Sequence, residues 1–172
     1  MEYEFNLKFK LASGDTDHET IMQRLGDCGC TDALVSFGVP GYVGLDFIRE
    51  ASSAEDAIVS AARDAKAALP GSHLVEAGPD FVGLTDVADL LAMTRQNIRK
   101  LFVGNDAFPP PVHGGASSVW HLAHVLMFLQ ERHYKIMPAV LEVAVTTMHV
   151  NLSKEKMLMD RGLEERVQDL FA

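Results

Sequence analysis

The chain has 172 residues, enough for one medium-sized domain or two small ones that share an interface. Its residues are 48% hydrophobic and 23% charged, which is typical of a soluble globular protein. No apolar run approaches the roughly 18 residues that span a bilayer, and the first residues lack the basic and apolar segments of a secretory signal. We therefore expect a cytoplasmic protein without a membrane anchor.

The net charge of −9 is unevenly distributed along the chain. Residues 1–82 contain six Lys and Arg against fourteen Asp and Glu, a net charge of −8, whereas residues 83–172 carry only −1. Within the second part, residues 94–104 contain three basic residues and no acid. Because charges act over a Debye length of about 8–10 Å, one short stretch attracts a polyanion while the overall field repels it.

The first 78 residues predict a small α+β domain. Residues 3–11 alternate apolar and polar side chains, which indicates a strand, and a helix follows. Residues 33–49 predict a hairpin, a second helix is capped at Ser53, and residues 73–77 form a last short strand. This order predicts a ferredoxin-like βαββαβ domain over residues 1–78, used for dimerisation or for sensing a ligand.

Cys28 and Cys30 flank a single glycine in this domain. Two cysteines so close together cannot staple a fold, and no second pair is present to complete a zinc site. We therefore expect structural thiols, with a redox or metal-binding role as the weaker alternative.

Beyond a boundary at residues 78–80, residues 84–102 predict two short helices joined by a tight turn. Thr85 is predicted to cap the first helix, and Thr94 the second. Ala88 is small enough to let the two helices cross closely, and Ile98 fills the angle between them. This arrangement is typical of a helix-turn-helix.

One side of the second helix, residues 94–102, contains only polar residues. Arginine pairs well with guanine, asparagine and glutamine pair with adenine, and basic side chains bind phosphates. We therefore predict that this helix enters the major groove of double-stranded DNA. The residues predicted to contact DNA from this region are Thr85, Thr94, Arg95, Gln96, Asn97, Arg99 and Lys100.

The segment contains Leu84-Thr85, Ala88, Leu91 and Met93-Thr94-Arg95-Gln96 in this order. It resembles the helix-turn-helix of the MerR superfamily, especially its small AlpA and excisionase-like members, in which the pattern L-T-x-x-A-x-x-L-G-V-S-R-Q is common. The glycine that this family has in the turn is Ala92 here. If the turn requires a left-handed backbone, alanine costs about 1 kcal/mol there.

The resemblance extends to residues 83–133 and implies a winged helix-turn-helix. A Phe-Pro-Pro-Pro run at 108–111, a glycine-containing wing at 112–119, Trp120 and a further helix follow in the order of the family. The resemblance implies that the tryptophan packs the wing onto the helices.

Several histidines lie in or after the wing. His121, His124 and His133 could suggest a metal site, but no cysteine or clear carboxylate completes a ligand set, so we predict neither a metal nor a cofactor. His113 is predicted to lie near a DNA phosphate. The resemblance further implies that His121 contacts DNA from the helix after the wing, where relatives often have a basic residue.

Residues 134–172 predict a C-terminal helical segment whose long helix covers residues 138–160. Its apolar stripe either packs on its own domain or forms a subunit interface, and the resemblance implies dimerisation through a helix of this kind. No catalytic triad, phosphate loop or nucleophile elbow is recognisable, so we expect no enzyme activity.

The sequence therefore predicts a homodimeric, sequence-specific DNA-binding transcriptional regulator. The alternative is an adaptor that binds proteins or senses a small ligand and whose helix-turn-helix does not bind DNA. The acidic first part of the chain favours that alternative.

Overall fold

The structure is a computed structural model that describes residues 1–103, 105–115, 117–168 and 170–171, and its fold is mixed α+β. The first six elements are β1 (Glu2–Lys10), α1 (His18–Asp27), β2 (Ala33–Ser36), β3 (Tyr42–Glu50), α2 (Ala54–Ala68) and β4 (His73–Gly78). They are followed by β5 (Phe81–Val82), α3 (Leu84–Leu90), α4 (Arg95–Val103), β6 (Trp120–His121), α5 (Leu122–Glu131), α6 (Pro138–Lys156) and α7 (Arg161–Gln168).

Strands β1 to β4 form an antiparallel sheet in the order β2-β3-β1-β4. The period-two pattern of β1 places alternate side chains on one buried face, where Phe5 lies opposite Phe47 and Leu7 opposite Leu45. Helices α1 and α2 pack on the same apolar cluster, which we call the first core. Alanines on the buried side of α2 allow that helix to lie close to the sheet.

Local signals in the first core lie where the sequence predicts them. The Ser53 hydroxyl accepts a hydrogen bond of 3.0 Å from the Asp56 N–H and caps α2. Gly41 has a φ of 80°, as the hairpin turn before β3 requires. Both cysteines are free thiols, and burial raises the pKa of the Cys30 thiol to about 11, which fits a structural role.

A second apolar cluster, here called the second core, lies among β5, β6 and the helices α3, α4, α5 and α6. The two short strands pair antiparallel, with Val82 opposite Trp120. Helix α6 is shared between the cores, because Val143 is buried in the first and Ala144 and Met148 are buried in the second. None of the helices in the described part of the chain is both long and apolar enough to cross a membrane.

The two cores meet at a buried hydrogen-bond network around Asp80, whose side chain is fully buried. His121 Nδ1 lies 2.7 Å from one oxygen of this carboxylate, and Asn151 Nδ2 donates a hydrogen bond of 2.8 Å to the other. We call Asp80, His121 and Asn151 the Asp80 junction. Three parts of the molecule meet at this junction, namely the segment that follows β4, the strand β6 and the helix α6.

Helix α6 also covers the outer edge of β4, which has a partner strand on one side only. The Asn151 amide accepts from the Ala77 N–H at 2.9 Å and donates to the Ala77 carbonyl at 2.8 Å. One turn further along, Lys154 Nζ donates to the Val75 carbonyl at 2.5 Å. These side chains satisfy backbone groups that an open sheet edge would leave unpaired.

Removing the Asp80 carboxylate is expected to destabilise the protein strongly. Asp80→Ala leaves the donors of His121 and Asn151 buried without an acceptor, which lowers the free energy of unfolding by about 3 kcal/mol. Urea unfolding monitored by Trp120 fluorescence measures this loss. The exposed Asp106 provides the matched control, since Asp106→Ala is expected to change stability by no more than about 0.5 kcal/mol. A loss below about 1 kcal/mol for Asp80→Ala would contradict this role.

Candidate nucleic-acid interface

Helix α3 begins at Leu84, and its N-cap is Gly83 in an extended conformation. The Gly83 N–H donates a hydrogen bond of 2.7 Å to the carboxylate of Asp86. The prediction that Thr85 caps this helix is therefore wrong: Thr85 lies in the first turn, with its side chain exposed. The charged carboxylate at the third helical position is a stronger acceptor than a hydroxyl, and it fixes the start of the helix two residues earlier.

The turn between α3 and α4 is a Schellman motif. The Met93 N–H donates to the Ala88 carbonyl at 2.8 Å, and the Ala92 N–H donates to the Asp89 carbonyl at 3.2 Å. Ala92 has a φ of 50°, so this turn position has a left-handed backbone although it is not glycine. The turn is thus formed with an alanine in a conformation that glycine adopts more easily.

Helix α4 begins immediately after Thr94, whose hydroxyl accepts a hydrogen bond of 3.2 Å from the Asn97 N–H. This confirms the predicted cap. Ile98 is buried in the second core together with Val87 and Ala88 of α3, so the two helices hold each other through the predicted residues. The orientation of α4 is therefore fixed from its inner side.

The outer side of α4 is polar and exposed. The exposed side chains are those of Arg95, Gln96, Asn97, Arg99 and Lys100. Within the described residues, none of the three basic side chains forms an ion pair with an acidic residue. The first turn of α4 contains no acid, so the positive end of the helix dipole adds to this local charge.

An aromatic cluster attaches α4 to the base of the predicted wing. The Phe102 ring centroid lies 5.1 Å from that of Trp120 and 5.6 Å from that of Phe108, both in edge-on geometry. Trp120 Nε1 donates a hydrogen bond of 3.0 Å to the Pro109 carbonyl, which fixes the proline run beside the second core. The tryptophan therefore packs between α4 and the segment that leads into the wing.

The predicted wing, residues 112–119, is closed at its base by a β-bridge between His113 and Val119. The Val119 N–H donates to the His113 carbonyl at 3.0 Å, and the side chain of His113 is exposed. Ala116 of this segment lies outside the described residues. His113 thus lies on an exposed, hairpin-like segment.

His121 does not have the position that the sequence predicted. Its side chain is buried and points to Asp80, so it is removed from the predicted DNA-contacting residues. The physical reason is the Asp80 junction, because a buried carboxylate requires hydrogen-bond donors and His121 supplies one. His124 lies beside it, with ring centroids 5.4 Å apart, but no group of three or more metal-ligating side chains is found among the described residues.

Asp80 and Asn151, which fix the strand that carries Trp120 and His121, have no predicted role in the sequence. Asp80 stands in the segment interpreted only as a domain boundary. Asn151 and Thr147 are polar residues one helical turn apart, both buried on α6, and Thr147 donates a hydrogen bond of 2.7 Å to the Pro79 carbonyl. Two polar residues at this spacing inside an apolar helix indicate a buried polar contact, but they do not identify its partner.

Comparisons with protein-family models, with curated proteins and with solved structures find no match for this chain.

The left-handed conformation of Ala92 leads to a stability prediction. Ala92→Gly is expected to raise the free energy of unfolding by about 1 kcal/mol, because glycine adopts this conformation without strain. The matched control is Ala67→Gly on the exposed side of α2, where the same substitution is expected to cost about 1 kcal/mol. Chemical denaturation of both variants measures the two changes, and effects of the same sign would contradict the assigned turn.

Proposed function

We propose that this protein is a sequence-specific, double-stranded DNA-binding transcriptional regulator. The observation that carries the proposal is the outer side of α4, which presents two arginines, one lysine and two amides to solvent. These are the side chains that recognise base edges and phosphates. In a chain with a net charge of −9, a basic surface without acidic partners among the described residues fits a polyanionic ligand.

In this proposal the N-terminal half of α4 enters the major groove. Arg95, Gln96 and Asn97 approach base edges, since residues near the start of a recognition helix reach the bases. Arg99 and Lys100 lie on the next turn and bind phosphates, together with the hydroxyls of Thr85 and Thr94. The wing at 112–119 lies along the neighbouring backbone or minor groove, where His113 contacts a phosphate.

We also propose a ferredoxin-like first domain, a winged helix-turn-helix and a homodimeric assembly. The sheet order β2-β3-β1-β4, with two helices on one face, supports a ferredoxin-like first domain, and α3, α4 and the bridged hairpin support a winged helix-turn-helix. Exposed apolar side chains after α6, at Met159, Leu163 and Phe171, support a homodimer. A two-fold dimer would recognise two half-sites about one helical turn of DNA apart.

A second candidate function is an adaptor that binds a protein or a small ligand and does not bind DNA. It is favoured by the net charge of −8 on residues 1–82, which repels DNA from that part of the molecule. Selection of bound sequences from a random pool of duplexes distinguishes the two functions. A regulator enriches a motif, whereas an adaptor enriches none.

Two substitutions on α4 are expected to have different effects. Arg95→Ala should weaken binding to the selected duplex and relax its base preference, with a loss of about 1–3 kcal/mol. Lys100→Ala should weaken binding to all duplexes alike and reduce the slope of log affinity against log salt concentration by about one. Fluorescence anisotropy with selected and scrambled duplexes, over a range of salt concentrations, measures both effects.

The matched control is Arg63→Ala. It removes one exposed arginine from the outer side of α2, the helix that packs on the first core. It should leave both the affinity and the salt slope unchanged. If all three variants bind the selected duplex equally well, with identical salt slopes, α4 is not the DNA-binding element.

A further inference from the structure

A groove of about 1000 Å³ lies between α2 and α6, over the start of β4. It is separate from the outer side of α4, and none of the residues assigned to DNA lines it. One wall is formed by α2 around Val59, and the other by α6 from Val145 onward. Its volume is in the range of small-molecule sites in proteins, which are about 300–1,000 Å³.

The groove has an apolar strip between polar and charged residues. Val59, Leu74, Val145 and Val150 line it along its length, and Met157 lines it near the end of α6. Val145 also packs against the second core, so an occupant would touch the helix that both cores share. Such a surface binds the apolar body of a ligand and gives no preference for a charged one.

The charged residues of the lining supply that preference. The groove contains two lysines, Lys66 and Lys154, and a single acidic residue, Glu55, although the chain as a whole is acidic. Lys154 is already engaged by the Val75 carbonyl and by Glu155 at 2.8 Å. Lys66 is exposed in the last turn of α2 and forms no ion pair within the described residues.

Ser72 is a second, independent sign of a ligand. This residue lines the groove, is only 7% exposed, and its hydroxyl is buried without a hydrogen-bond partner among the described residues. A buried hydroxyl without a partner is costly, and proteins usually satisfy it. Ser72 lies just before β4 and Lys66 lies in the last turn of α2, so both residues are close to the segment that joins α2 to β4.

We propose that this groove is a binding site for a small amphipathic carboxylate, an aliphatic or aromatic acid of low molecular mass. The apolar body packs between α2 and α6 against Val59, Leu74 and Val150. The carboxylate lies at the end where Lys66 supplies the charge, and rotation of the Ser72 side chain about χ1 brings its hydroxyl into position to donate a hydrogen bond to it. This site does not depend on the proposed DNA binding.

The probe for the test is decanoate, with decanol as a neutral ligand of the same chain length, both titrated calorimetrically below their aggregation concentrations. Decanoate should bind saturably, with one site per chain and at least roughly ten-fold more tightly than decanol, because only the acid engages Lys66 and Ser72. Lys66→Met and Ser72→Ala should each weaken decanoate binding, Lys66→Met by roughly ten-fold, and leave decanol binding unchanged.

Two further variants test whether both probes bind in the groove itself. Val59→Trp fills the groove from the half-exposed side of α2 and should abolish binding of both probes, with circular dichroism used to verify folding. Arg63→Met lies on the same helix outside the groove and should bind decanoate like the parent protein.

Three outcomes would overturn the proposal. One is the absence of saturable decanoate binding, and another is equal binding of both probes that is insensitive to Lys66→Met. The third is a concentration-dependent dimer that Val59→Trp disrupts and decanoate does not affect, because the groove would then be an interface between two copies of the chain.

Discussion

The buried carboxylate of Asp80 fixes how the two cores of this molecule meet. A carboxylate without solvent is tolerated only when donors surround it, and here His121 and Asn151 supply them from two different elements. The hydrogen bonds to this carboxylate therefore connect three parts of the molecule that are distant in sequence, namely the end of the sheet, the strand β6 and the helix α6. Replacing Asp80 would leave a donor of His121 and a donor of Asn151 unsatisfied, and replacing His121 or Asn151 would remove a donor from the buried carboxylate.

The position of α4 follows from this junction through a short series of contacts. His121 is directly preceded by Trp120, which is fully buried and packs edge-on against Phe102 of α4. Ile98 then holds α4 against α3 from the inner side. The side chains on the outer side of α4 do not take part in this packing. They are therefore exposed on a rigidly held helix, where a ligand can reach them.

How far the sequence predicts this structure depends on whether each signal is local. The alternation in β1, the cap at Thr94 and the small residue at Ala88 are each decided by neighbours in the chain, and they lie as predicted. The cap of α3 is also local, but Asp86 prevails over Thr85 because a carboxylate accepts a hydrogen bond more strongly than a hydroxyl.

The features that the sequence does not reveal are those created by distant residues. The role of His121 depends on Asp80, which lies 41 positions earlier, and the bond between Asn151 and Ala77 spans 74 positions. The groove between α2 and α6 likewise arises only when both helices are packed on the sheet. No periodicity or motif in the sequence encodes such pairs. The sequence alone therefore does not distinguish a contact of His121 with Asp80 from a contact of His121 with DNA.

We propose that the outer side of α4 contacts nucleic acid and that the sheet does not. Amide chemical shifts of the ¹⁵N-labelled protein, followed during titration with a selected duplex, test it residue by residue. If α4 binds DNA, the largest changes are expected on residues 94–100 and on 112–115, and the strands β1 to β4 are expected to remain unaffected. Changes concentrated on the sheet or on α2, with residues 94–100 unmoved at saturating duplex, would contradict it.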